Sequence, residues 1–196
     1  MTRAGFLGRR VFRFAWVLVF VALLDELASG VPFVGAPEIR GSFELAYGTT
    51  SVILLGLPEL VSWVVEPPLF LLSDRYGKRP MILFGLVLLG LAFIAGGLAP
   101  NAWVFGAALI ASFPGSGLGV ALSQAALMDA YPKRRDALMA RWTLLGEVGD
   151  LITPIMLSTI MLAGGSWRGA MIIAGITFLL QAIATARVPW RTGPSF

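Results

Sequence analysis

The stretch Leu69–Ala99, LFLLSDRYGKRPMILFGLVLLGLAFIAGGLA, joins two apolar runs through one short charged segment. Its second run, Met81 to Ala99, carries no charge. At about 1.5 Å of rise per residue, such a run crosses a hydrocarbon core of roughly 30 Å as a single helix. Apolar stretches of the same kind recur along the chain and predict spans at 13–35, 47–72, 80–99, 102–127, 138–162 and 169–187. The expected fold class is therefore an all-α integral membrane protein, a bundle of six transmembrane helices forming a single domain over 1–196. No connection between spans is long enough to separate domains.

Composition agrees. Hydrophobic residues make up 57% of the chain and charged residues 13%, against roughly 45–50% and about 25% in soluble domains. There is no cysteine and no histidine, which removes disulfides, thiolate or imidazole metal sites and catalysis that depends on either group. Pro114-Gly115-Ser116-Gly117 suggests an intramembrane serine protease at first sight, but no histidine base is available to it. Lys78 and Lys133, the only lysines, fall in inner loops, so a serine–lysine pair is not expected either. The chain is read as a non-enzyme with no cofactor and no metal. Its net charge of +4 follows membrane topology and does not imply nucleic acid.

Topology follows from lysine and arginine. Arg3, Arg9, Arg10, Arg13, Arg75, Lys78, Arg79, Lys133, Arg134, Arg135, Arg141, Arg187 and Arg191 fall on one side, and of the 15 basic residues only Arg40 and Arg168 fall on the other. The positive-inside rule then puts both termini in the cytoplasm and the protein in the plasma (inner) membrane. The basic start before Phe14–Leu24 has the look of a signal peptide, but its continuation through Asp25 and Glu26 to Val34 fits a first span better.

Acidic residues divide the helices. Span 1 holds Asp25 and Glu26, span 2 Glu59 and Glu66, and span 5 Glu147 and Asp150, while spans 3 and 6 have none. A charge at the bilayer centre costs roughly 2.5–3.5 kcal/mol on insertion scales, so spans 1, 2 and 5 should face an interior and spans 3 and 6 can face lipid. In span 4, Gly115 and Gly119 share a face and allow close helix packing. Counted from the inner ends, Asp25 and Glu26 lie about 18 Å deep and Glu147 and Asp150 about 14–18 Å, with Glu59 at a similar level and Glu66 nearer the cytoplasm. No basic residue shares that depth. Asp25, Glu26, Glu59, Glu147 and Asp150 are the candidate substrate- or proton-binding groups, suited to protons, a cationic solute or a metal ion. Alternatively they pair with basic groups of a second half or hydrogen-bond within the bundle. Trp103, Trp142, Trp167 and Trp190 are expected in an interfacial belt, and Trp63 can recognise a cation.

Ser73-Asp74-Arg75-Tyr76-Gly77-Lys78-Arg79-Pro80, lying between spans 2 and 3, resembles the signature loop of the major facilitator superfamily. Asp129-Ala130-Tyr131-Pro132-Lys133-Arg134-Arg135 is similar to that family's loop after span 4, and Gly165-Ser166-Trp167-Arg168 to its approach to span 6. The resemblance implies one six-helix half of a twelve-helix transporter. It further implies alternating access for a small solute, and a cytoplasmic gating loop made of Asp74, Arg75, Gly77, Lys78, Arg79, Asp129 and Arg135. The implied partners are the lipid bilayer, a solute (cationic, or protons) and a second half-transporter supplied by a homodimer mate, another chain or the rest of a longer product. A non-transporting assembly or regulatory subunit that keeps the half-fold is the alternative. The span 4 arginine of proton-coupled members is absent, and the glycine-rich element of span 5 is only faintly echoed by Gly146 to Pro154, so neither proton coupling nor drug export carries over. From its own chemistry, Asp74 is expected to cap the start of span 3, and Gly77 to supply a left-handed turn.

The cysteine-free sequence makes the topology directly testable. A cysteine at Gly41 should react with a membrane-impermeant maleimide on intact cells, whereas one at Lys133 should react only after permeabilisation. The reverse pattern would overturn the orientation.

Overall fold

The computed structural model describes the backbone of residues 3–190 and the side chains of residues 13–190. The side chains of Arg3, Arg9, Arg10 and Arg191 lie outside the described residues. Among the described residues six helices are long and apolar enough to cross a membrane: span 1 (Arg13–Val34), span 2 (Tyr47–Tyr76), span 3 (Lys78–Gly97), span 4 (Ala102–Ala130), span 5 (Pro132–Leu162) and span 6 (Trp167–Arg187). The all-α membrane bundle expected from the apolar runs is what the chain forms. The connection between spans 1 and 2 contains a short helix, Ala36–Ser42.

Most of the prolines do not break their helices; among the described residues spans 2 and 4 each carry a π-helical turn, and span 5 opens with a short 3-10 turn, Pro132–Arg134. Leu57 alone separates the first π turn, Val52–Gly56, from Pro58. A proline ring crowds the carbonyl four residues back, here that of Leu54, and an expanded turn relieves the clash. The second π turn, Gly117–Ala121, follows Pro114 in the glycine-rich part of span 4.

Glycine sets the packing between helices. A Cβ placed on Gly90 of span 3 would come within 2.8 Å of the Gly175 carbonyl oxygen of span 6, and one on Gly115 of span 4 within 2.9 Å of the Leu89 amide nitrogen of span 3. Gly115 and Gly119 do share a face, and it lies against span 3. Spans 3 and 6 are also joined at both ends by arginine. Arg168 donates to the carbonyls of Gly97 and Ala99 at 3.3 and 2.5 Å, and Arg79 donates to the carbonyl of Ala186 at 2.9 Å. Each cation sits at the start of one helix and satisfies carbonyls at the C-terminal end of its antiparallel neighbour, where the helix dipole is negative.

The expectation for spans 3 and 6 needs refinement. They present Phe84, Leu91, Ile173 and Leu180 outward, as lipid-facing helices do, yet they are more enclosed than the acid-bearing helices. In span 2 only 28% of the most apolar stretch is buried and in span 5 only 22%, against 50% in span 3 and 61% in span 4. Charge-free composition permits lipid contact but does not prevent close packing. Trp142 and Trp167, expected in an interfacial belt, are buried at 9% and 2% exposure. Trp167 is held in a ring cluster with Phe43 and Phe105 and donates to Ser42 Oγ at 3.1 Å. Trp103, at 85% exposure, does face outward.

Overpacking a glycine contact costs about 1–3 kcal/mol. Gly90→Leu should therefore lower the thermal unfolding temperature in detergent by several degrees. Gly41→Leu, where nothing lies within 4 Å, should leave it within the range of a change of about 0.5 kcal/mol.

Candidate functional site

An open cavity of about 390 Å³ lies between spans 1, 2, 4 and 5. Asp25, Glu59 and Glu66 supply three carboxylates to its wall, Trp63, Phe113 and Trp142 supply rings, and Ser62, Ser116 and Gln124 supply neutral polar groups. Glu59 and Trp63 are exposed at its mouth. No basic residue lines it.

Each carboxylate is held from a nearby helix turn. Ser116 Oγ of span 4 donates to Asp25 Oδ1 at 3.1 Å. Trp63 Nε1, one turn along the same helix, donates to Glu59 Oε1 at 2.9 Å. Ser62 Oγ donates to Glu66, again across one turn. Glu66 lies against the π turn of span 4: a Cβ on Gly117 would meet Glu66 Oε1 at 2.6 Å. Only a residue without a side chain lets the acid approach the backbone this closely, at a type of irregularity frequent in functional sites.

Of the acids singled out from sequence, the structure brings Asp25 and Glu59 to this cavity. Glu26 packs against Gly146 and Gly149 of span 5 and is within electrostatic reach of Glu147 and Asp150 there, and Glu26 and Asp150 are in turn within reach of Asp25. Glu147 and Asp150 are exposed on the bundle surface. Span 1 approaches span 5 closely here, since a Cβ on Gly149 would meet the Leu23 carbonyl oxygen at 2.8 Å. Among the described residues no group of three acids is arranged to hold a metal ion.

Glu66, Ser62, Ser116, Gln124 and Trp142 were not in the sequence-derived set. The spacing could have found two of them. Glu59 and Glu66 are seven apart, two helical turns, and so share a face with Ser62 and Trp63. Their ranking by depth alone hid this.

The charged segment between spans 2 and 3 is compressed to one residue. Span 2 continues to Tyr76 and span 3 begins at Lys78, so the whole turn is made by Gly77 with φ 86° and ψ 153°, a conformation essentially restricted to glycine. Asp74 is exposed in the last turn of span 2, and no side chain caps span 3 at Gly77; the short junction leaves Asp74 in the wrong helix for that role. Lys78 forms an ion pair with Asp129. Arg135 Nε donates to the Met128 carbonyl at 3.3 Å, and the Arg75 guanidinium lies 5.8 Å from the Tyr76 ring centre. These contacts gather the ends of spans 2 to 5 at one end of the bundle.

Residues 18–195 match the family model described as Major Facilitator Superfamily. The chain is 28% identical over 86% of its length to a protein of Schizosaccharomyces pombe named Uncharacterized transporter mfc1, covering 36% of that protein. It is 32% identical over 82% of its length to the Lincomycin resistance protein of Streptomyces lincolnensis, covering 34% of it. A protein of Rickettsia bellii named Uncharacterized transporter is 31% identical over 60% of this chain and 29% of its own length. The chain thus spans about a third of the length of the curated relatives it matches.

The fit of Glu66 against Gly117 has a direct test. Gly117→Ala should displace the carboxylate and change its rate of modification by a hydrophobic carbodiimide, measured by mass spectrometry of the Glu66 peptide, with thermal unfolding shifted by no more than a few degrees. An unchanged rate would show that Glu66 does not rest on span 4.

Proposed function

The chain belongs to the major facilitator superfamily, and from that premise we propose that it carries a small solute across the membrane by alternating access, as one wall of a central cavity completed by a second six-helix wall. The observation that carries this reading is the cavity with three carboxylates and no basic residue, placed beside the two least-buried spans. Carboxylates exposed on spans 2 and 5 are incompatible with a hydrocarbon surround, so that face requires protein or water over it. A second wall provides both, and a site at the junction of two such walls can be open to one side at a time.

In this reading Asp25 and Glu59 hold the solute or its coupling proton, and Glu66 joins them. Glu26, Glu147 and Asp150 line the same wall farther along span 5. The membrane is the plasma membrane and both termini are cytoplasmic, the orientation being supported by the gathering of Lys78, Arg79 and Arg135 at one end. The Lys78–Asp129 pair, with side chains 33% and 60% exposed, is of the kind worth about 1 kcal/mol or less. Such a latch can open without a large barrier and then reform, as a gating contact must.

The native complex, purified from membranes and reconstituted into vesicles, should move solute when a pH gradient is imposed and cations and anions are supplied in parallel. Asp25→Asn should reduce the rate by roughly tenfold or more, the effect of removing one charged hydrogen-bonding group. Full activity in that variant would remove Asp25 from the site. No flux for any solute would favour an assembly or regulatory subunit instead, and the mass of the detergent-solubilised complex identifies the second wall.

A further inference from the structure

The cavity's polarity and its shape together narrow what it can hold. Asp25, Glu59 and Glu66 contribute only negative groups, and Trp63, Phe113 and Trp142 contribute three aromatic rings. Against this wall an anion meets only negative groups. A proton requires neither rings nor about 390 Å³ of space, a volume in the range of small-molecule sites. A metal ion requires convergent ligands, and among the described residues no group of three acids converges. A cation with an apolar body satisfies both the charge and the rings.

The acids are not equivalent. Asp25 and Glu66 are each engaged by a serine hydroxyl. Glu59 is engaged by the indole of Trp63 at 2.9 Å, so its hydrogen-bond partner is itself a surface for cation–π attraction. That bond fixes the ring beside the carboxylate at the exposed mouth of the cavity, where Trp63 is 67% exposed. We infer that the cavity binds an organic cation, an amine or quaternary ammonium attached to an aromatic or aliphatic body, with its charge shared between Glu59 and the Trp63 ring. The apolar body lies toward Phe113 and Trp142. This rests on the transport reading above, for which the cavity is the solute site, and it specifies the solute's chemical class.

The test is equilibrium binding of radiolabelled phenyltrimethylammonium to the native complex in detergent micelles, with tert-butylbenzene, its neutral carbon isostere, and benzoate as competitors. Saturable binding that neither competitor displaces is expected. Glu59→Gln should weaken it by at least roughly tenfold. Trp63→Leu should weaken it by roughly 2- to 30-fold, and Trp63→Phe, which keeps a ring face, by less. Trp103→Leu, at an outer position 85% exposed, should bind as the parent does and shows that truncating an exposed indole is not in itself disruptive. Equal displacement by tert-butylbenzene, or binding unaltered in both Glu59→Gln and Trp63→Leu, overturns the inference. If the cation binds in the expected manner while the native complex moves no solute, the transport reading fails and the cation site stands. If flux depends on Asp25 but the cation neither binds nor competes, the cation site fails and transport stands.

Discussion

A carboxylate cannot rest in hydrocarbon without a large free-energy cost, and the arrangement of this bundle follows from that constraint. Removing an ionised group from water is repaid only by close pairing, by hydrogen bonds or by a wet cavity. The six helices meet the requirement unevenly. Asp25 and Glu66 turn inward to serine hydroxyls, whereas Glu147 and Asp150 remain on the surface of span 5. The bundle is thus two-sided. One side, built from spans 3 and 6, is apolar and closely packed; the other, built from spans 2 and 5, is acidic and sparsely packed.

The membrane fold was legible in the sequence because it depends on long-range averages. Apolar runs of sufficient length, the sidedness of lysine and arginine, and the charged turn around Gly77 are all one-dimensional signals. The division of acids among spans 1, 2 and 5 was readable for the same reason. Which acids meet was not, because that depends on helix rotation and on which neighbour each face meets. Glu26 follows Asp25 directly, yet Asp25 turns to Ser116 of span 4 while Glu26 packs on Gly146 and Gly149 of span 5, the two remaining within electrostatic reach of each other and of Asp150. Two adjacent helical residues differ by about 100° in direction, so a depth estimate cannot separate them.

The tryptophans teach the same lesson. Trp167 opens span 6, and Trp142 stands near an end only if span 5 is taken from 138; an interfacial position is the ordinary outcome there. Tertiary contacts decided otherwise: Trp167 is enclosed by Phe43, Phe105 and the Arg168 guanidinium, whose centre is 4.5 Å from its ring. The role of Arg168 was equally hidden. Read as one of two exceptions to the charge bias, it turns out to satisfy the open carbonyls at the end of span 3. The reach of Arg79 to Ala186 gives the opposite end the same treatment.

These two clamps, together with the glycine contact between them, leave spans 3 and 6 without slack: neither can slide or roll without tearing a charged hydrogen bond and colliding backbone on backbone. Compliance has to reside elsewhere. A π turn carries one surplus residue and a looser ladder, so it can be wound or unwound at small cost. The two such turns belong to spans 2 and 4, and the second sits directly against Glu66. The molecule therefore combines a stiff keel with two pliant staves, and the pliancy adjoins the acids.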